Sequence, residues 1–440
     1  MFEFAPEKTT PKMAIKNVAI VIAPLVVLLL IFIPFMATQT WREQRAVERF
    51  RATLLYDFDY LLNVLEENVP TLDILYRRHG VDLLAQGQNA RQIIEEAEYV
   101  YYVLLWRTLR DELFWYAHGI SHLGAITEGF RLGMLERFGV LDHIGNFCEQ
   151  RKAEAMEWLN PAQVRNLLTF SKPPVFYNDL LVGDPFRTSD ITFDIIEAGR
   201  IAYMRIPRLI IDMEYAMVDT RRFMHDIEEY QHLIIDLRGN SGGFVRYFHD
   251  LIGRQLLSEP RYMYINNFYM AGRHNMQLKS NIEYAQELST RFTLEDAMSF
   301  VTEEYLHILE DIMRMDYHYV YRHEVEPFDT LNVPFSGKIW MLVDERVASA
   351  AHWVATFYKE IGFATLVGET TLGALGFCSI VGSNFITLPN SGIIVRYDTI
   401  LSLDPRGRPI EYGTEPHYFN RPGMDALQTV LALIEEGWYR

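Results

Sequence analysis

The sequence predicts an α/β fold of the mixed α+β kind, preceded by a helical region and by one membrane-spanning helix. Three observations carry that prediction. A charge-free apolar run occupies residues 17–40, apolar residues recur at helical spacing after it, and from about Pro173 short apolar strands alternate with helices. At 440 residues the chain is longer than one ordinary domain needs. A composition of 49% hydrophobic and 22% charged residues excludes a disordered chain, a collagen-like chain and a polytopic transporter. With 41 basic against 58 acidic residues the net charge is −17, which argues against a general nucleic-acid-binding surface. Two cysteines, Cys148 and Cys378, exclude a disulfide scaffold and a four-cysteine zinc site, and their spacing does not decide whether they pair.

The elements follow in order. After a tail at 1–16 carrying Lys8, Lys12 and Lys16, Val18–Ala37 supplies twenty residues without a charge, enough to cross a hydrocarbon core of about 30 Å. Pro24 and Pro34 tilt or kink such a helix. Neither exit, Phe35-Met36-Ala37 or Ala37-Thr38-Gln39, offers the paired small residues of a signal-peptide cleavage site, so 17–40 is expected to be an uncleaved signal anchor. Arg42, Arg45, Arg49 and Arg51 outnumber the three lysines, but no later stretch could return the chain. The expectation is a single-pass protein of the cell membrane with its bulk outside the cytoplasm.

Residues 41–170 are expected to form a helical domain. Phe50, Leu54, Phe58, Leu61, Leu62 and Leu65 form one stripe, and Ile93, Ile94, Ala97, Val100 and Tyr101 a second. Residues 171–440 are expected to form an α/β core. Its elements are two strands joined at Gly199, a helix over Asp212–Tyr230, the strand HLIIDL, the strand KIWMLVD, a helix starting near Ser349, and the strand ATLVGE. Asn281–Met315, rich in Glu and Met, interrupts the rhythm as a helical insertion near 280–316. It fits a lid, an oligomer contact or ordinary surface packing.

Four segments carry residue types suited to chemistry. Leu233–Gly243, LIIDLRGNSGG, runs a strand into a turn with three glycines in five residues. Such a turn aims backbone N–H groups outward together, as an anion or oxyanion requires. No Gly-Lys-Ser/Thr follows, which excludes a nucleotide phosphate loop. Ser349 stands where a strand meets a helix N-terminus, a place that favours developing negative charge, although serine there is most often only a cap. His122, after Ser121 in GISHLGAI, is one of thirteen histidines able to act as a base. Glu411 in RGRPIEYGTEP could orient an imidazole, and exposed loop glutamates are commoner. There is no HExxH, and no metal or organic cofactor is expected.

The order of these segments is more informative than any one of them. S-H, DLRGNSGG, FSGKIWMLVDERVASAAHW, LVGETTLG and ExGxxP together resemble the C-terminal-processing/tail-specific protease and tricorn family of serine peptidases, over roughly Tyr56 to Tyr418. The resemblance implies a core of the Clp-protease/crotonase type and a peptide or unfolded-protein substrate. It implies Ser349 as nucleophile, and the N–H of Ala350 with that of Gly242 or Gly243 as the oxyanion hole. Ala374 stands where the Ser-Lys branch has its lysine, and no PDZ segment is recognisable. The match is therefore to the tricorn-like Ser-His-Glu branch, which implies His122 as base, Glu411 as its orienting acid and Ser121 in support. His352, where a glutamate is common, and His417, where an aspartate is usual, depart from the pattern. His352 lies one helical turn from Ser349 and is a rival base. The expected function is peptide-bond hydrolysis through an acyl-enzyme. An inactive peptide-holding scaffold and a non-peptidase serine hydrolase are the alternatives, and Met-rich and aromatic segments fit a homo-oligomer and plain packing equally well.

Overall fold

The computed structural model describes residues 41–100, 102–114, 123–125, 191–209, 213–281, 290–329, 335–373 and 383–437. The segment 17–40 expected to cross the membrane lies outside them. Among the described residues no helix is long and apolar enough to do so.

The N-terminal part is helical. Residues 41–68 form α1, which buries Leu54, Phe58, Leu61, Leu62 and Leu65 of the expected stripe and packs the half-buried Phe50 against the same core. Next come α2 (Leu72–His79) and α3 (Leu83–Glu96), the latter capped by the Asp82 carboxylate on the Ala85 N–H. Then α4 (Tyr102–Thr108) runs into a π-helical turn, Leu109–Phe114. The second expected stripe is not one helix. The face of α3 that goes inward carries Leu83, Gly87, Ala90 and Ile94, Ile93 is exposed, and the backbone turns extended at Ala97 (φ −61°, ψ 129°). Continuing the inward row would reach Ala97 and Glu98, which have little apolar area to bury.

The remaining elements, in chain order, start with β1 (Gly124–Ala125), β2 (Thr192–Glu197), β3 (Ile201–Arg205), α5 (Met213–Asp226) and β4 (His232–Asp236). Helix α6 (Val245–Phe248) is prolonged through a π-helical turn to Leu256, and β5 (Arg261–Tyr269), α7 (Arg273–Asn281), α8 (Leu294–Ser299) and α9 (Leu309–Met313) follow. The chain closes with β6 (Tyr317–Val325), β7 (Lys338–Val343), α10 (Ser349–Glu360), β8 (Thr365–Gly368), β9 (Ser383–Thr387), β10 (Ile394–Asp398), β11 (Leu401–Leu403), β12 (Tyr418–Phe419) and α11 (Ala426–Glu435). Where one long helical stretch was expected over Asn281–Met315, the described part is broken. Thr293 and Asp296 form a reciprocal capping box that starts α8 afresh, and the extended Thr302 (φ −89°, ψ 168°) separates it from a 3-10 turn that leads into α9.

The largest sheet has the order β12-β8-β7-β4-β3-β2, with only the edge strand β2 antiparallel. Its central strands read as continuous apolar runs because both faces are covered. From β7, Ile339, Met341 and Val343 pack on one side with α5, α6 and α10, while Trp340 and Leu342 pack on the other with Ala426, Val430, Leu433 and Ile434 of α11. Side chains alternate across a strand, so one six-residue run serves two cores. Two antiparallel sheets, β11-β5-β6 and β1-β10-β9, are the others among the described residues.

The helices α1–α4 share a core with Leu123 and with Ile386, Leu388, Val395 and Tyr397 of the β9–β10 hairpin. A buried carboxylate fastens this contact. Asp57 of α1 accepts N–H bonds from Asn390 and Ser391 at 2.8 and 2.6 Å. The helical region thus sits directly against the strands that follow the loop after β8.

Candidate active site

Strands β4 and β7 are parallel neighbours, so the turns at their carboxyl ends lie side by side, the usual place for a site in such a sheet. Buried Asp344, just past β7, joins them by accepting the Gly239 N–H at 2.9 Å. Asn240 makes three further ties. Its Nδ2 donates to the Ile206 carbonyl at 2.9 Å, its Oδ1 accepts the Gly242 N–H at 2.9 Å, and its carbonyl accepts the Ala348 N–H at 3.1 Å.

Ser349 follows immediately. Ala348, not the serine, is the N-cap of α10, with extended backbone and no side-chain cap, so the plain capping reading of Ser349 does not hold. The Ser349 N–H donates to the Gly373 carbonyl at 3.0 Å, and Ala348 bridges Gly373 in parallel. Ser349 has φ +51°, the one positive φ outside glycine among the described residues. For an L-residue that conformation costs about 1–2 kcal/mol. Turns from β4 and β8 hold it there, at a strand-to-helix junction strained in the manner of a nucleophile elbow.

Donors for an oxyanion stand beside it. Ala350 is in the first turn of α10, where N–H groups have no acceptor within the helix. A Cβ on Gly242 would fall 2.8 Å from the Ser349 Cβ and 3.0 Å from the Ala350 nitrogen, so the glycine backbone lies against both. The Gly242 N–H, however, is already given to Asn240 Oδ1. Gly243 pairs with Leu209 through bonds made by the Gly242 carbonyl and the Phe244 N–H, neither of which uses its own N–H. Of the two glycines, Gly243 is the one whose N–H is not taken by another described residue.

Glu411 lies in a 3-10 turn, Ile410–Tyr412, and is buried, not an exposed loop residue. Gly373 links it to Ser349, since a Cβ on Gly373 would meet the Glu411 carbonyl oxygen at 2.5 Å. No side chain among the described residues pairs with the Glu411 carboxylate; the groups that face it are backbone, its own and that of Ser402. Burial pushes its pKa up to about 8, opposed in part by its own and the Ser402 backbone groups, while Asp398 adds to the rise and Arg78 acts against it. Glu411 lines a small pocket with Val69, Thr71, Leu72, Ile74, Leu75, Leu83 and Leu123. Ser121 and His122 lie outside the described residues, as do Cys148, Cys378 and Ala374. Leu123, the chain neighbour of His122, shares that pocket with Glu411.

The two histidine departures have structural roles. His352 is fully buried, with Nδ1 2.7 Å from Thr371 Oγ1 and Nε2 3.1 Å from the Ile410 carbonyl. The carbonyl can only accept, so Nε2 donates to it and Nδ1 accepts from the threonine hydroxyl. Burial takes its pKa down to about 3, against the pull of the Ile410 bond. Both ring nitrogens are committed, so His352 is not a rival base for Ser349. His417 Nδ1 accepts the Leu366 N–H at 2.9 Å while the His417 N–H returns to the Leu366 carbonyl, and burial brings its pKa down to about 4. Sequence reasoning also missed Asn240 and Arg78. The first sits two residues before Gly242, a recognisable Asx-turn spacing, whereas nothing local marks the second.

A strained serine at a strand-to-helix junction with backbone N–H groups beside it is an arrangement that serine hydrolases use. A model of peptidase family S41 matches residues 200–419, half of the chain, and the protein belongs to that family of serine-type peptidases. Its fold is similar to that of mature CPAF, at 15% identity and TM-score 0.50 over 84% of this chain and 93% of that one. A serine-to-alanine mutant of CPAF gives 15% identity and TM-score 0.51 over the same shares. No curated protein matches the chain.

Proposed function

We propose that this protein is a membrane-anchored serine endopeptidase that cuts peptide bonds through an acyl-enzyme, on a core of the Clp-protease/crotonase type. Ser349 attacks the scissile carbonyl and His122 takes its proton. Glu411 accepts a hydrogen bond from the other ring nitrogen, holding the tautomer and stabilising the imidazolium. The Ala350 and Gly243 N–H groups receive the oxyanion, each donor contributing about 3–4 kcal/mol in a water-excluded site. His122 then protonates the leaving amine, and water repeats the sequence on the acyl-enzyme. Ser121 braces the imidazole.

The observation that carries this reading is the buried Glu411 carboxyl, which has no side-chain partner among the described residues, lies next to Ser349 through Gly373 and belongs to a residue that shares a pocket with the neighbour of His122. An ionised carboxylate in that pocket needs a cation, and an imidazolium supplies one. The pairing is testable without measuring turnover. Without that cation, burial holds the carboxyl up to about 8 against an ordinary 4.5, so the stability it contributes is fully present below 4.5 and is lost as pH rises toward 8. In His122→Ala, thermal stability should therefore fall more steeply than in the parent across that window, and adding Glu411→Gln should remove the extra slope. Equal slopes in all three proteins would sink the pairing. In turnover, His122→Ala and Glu411→Gln together should cost little more than His122→Ala alone, as for residues acting as a unit.

Residues 17–40 are proposed to anchor the protein in the cell membrane, with the catalytic part outside the cytoplasm. Their uncharged apolar run supports this. The full chain should need detergent for release from membranes; release by high salt or carbonate alone would contradict the anchor.

A further inference from the structure

Helix α2 belongs to the helical region, more than 250 residues before Ser349 in sequence, yet its last turn reaches the catalytic loops. Arg78 is half-buried there. Its Nη1 donates to the Leu372 carbonyl at 2.8 Å and also to the Glu411 carbonyl. Those two carbonyls flank Gly373, and a Cβ on Gly373 would lie 3.2 Å from the same Nη1. We propose that Arg78 is a positioning residue: by clamping the Leu372 and Glu411 backbones together over Gly373, it fixes the spacing between the loop that receives the Ser349 N–H and the turn that carries Glu411.

The proposal rests on the reading of Ser349 and Glu411 as catalytic, and the physics is specific. A guanidinium donating to two carbonyls from separate loops replaces the ladder that the loops cannot make with each other. Burial of an arginine there is costly without such acceptors. The charge also matters. The groups that face this corner are Asp398 at the end of β10, Arg408 and Tyr412 from the Glu411 turn, His79 on α2 and the neutral His352 of α10. Of the cations, Arg78 is the one that favours the ionised form of Glu411, and Arg408 opposes Arg78 itself. The neighbouring Arg77 pairs with Asp311 through two bonds, one of them 3.0 Å, and reaches the Glu411 turn only at the Tyr412 side chain, so it clamps neither of the carbonyls beside Gly373.

The test compares Arg78→Gln, Arg78→Lys and Arg77→Gln in the full detergent-solubilised chain, measuring kcat, KM and the pH profile of peptide cleavage, with thermal melting alongside. Arg78→Gln should lower kcat by about ten- to a hundredfold, the size of effect that small misplacements produce, with KM changed by less than about twofold. Its acid limb should move to higher pH, because a positive charge beside Glu411 is gone. Arg78→Lys should recover part of kcat and restore the limb, since an ammonium keeps the charge. Arg77→Gln should leave kcat and the limb unmoved. An Arg78→Gln protein that melts earlier but keeps the parent kcat and pH limb overturns the proposal. So does an equal loss of kcat in Arg77→Gln, which would show only that α2 must dock. Turnover surviving Ser349→Ala would overturn the underlying reading instead, and it is seen in the parent background before any Arg78 variant is made.

Discussion

Ser349→Ala should lower peptide cleavage by roughly 10⁴–10⁶-fold while the protein folds as before. In the proposed mechanism the hydroxyl is the attacking atom, so the loss is large, and the oxyanion donors alone retain only a residual rate over water. Stability should barely change, since alanine at φ +51° is strained as serine is. Ser349→Gly separates the two effects. It should be equally inactive but more stable than Ser349→Ala by about 1 kcal/mol, because glycine adopts that backbone without penalty. A glycine variant no more stable than the alanine variant would mean that the positive φ is not held under strain.

Gly242→Ala should damage turnover less than Ser349→Ala but be far worse for the fold. The added methyl would lie 2.8 Å from the Ser349 Cβ, 3.0 Å from the Ala350 nitrogen and 3.1 Å from the Ala348 carbonyl oxygen, at φ +112°. Two of these three neighbours are backbone atoms of the junction itself, so relief requires moving Ser349 or Ala350. A loss of about 2–4 kcal/mol of stability and at least about a hundredfold in kcat is expected. Gly199→Ala is the control, with a similar left-handed backbone at φ +69° but open space around it. It should cost only about 1 kcal/mol and no activity. Equal stability losses at the two positions would remove the close approach from the explanation.

Much of this architecture is legible because it is written at short range. The uninterrupted apolar runs of β4 and β7 announce strands buried on both faces, and the glycines after Arg238 and the small residues around Ser349 announce two turns. What the sequence hides depends on partners far along the chain. Whether His352 is a base or a brace is decided by Thr371 and the Ile410 carbonyl, 19 and 58 residues away. Which glycine keeps its N–H is decided by the side chain of Asn240, and a run of motif glycines does not reveal which donors are already taken. Arg78 is invisible for the same reason: a basic residue in the last turn of a helix usually serves the helix dipole, and only the packing of α2 on Gly373 gives this one another task. The broken helices of the insertion were legible locally, through Thr293 and Asp296, but helical composition masked the cap.

The most direct measurement is to treat the full chain with a serine-reactive fluorophosphonate and locate the adduct by peptide mass spectrometry, in the parent and in His122→Ala. An adduct on Ser349 in the parent, lost or slowed by orders of magnitude in His122→Ala, is the predicted result. An adduct on another serine, or labelling of Ser349 at the same rate without His122, would contradict the mechanism.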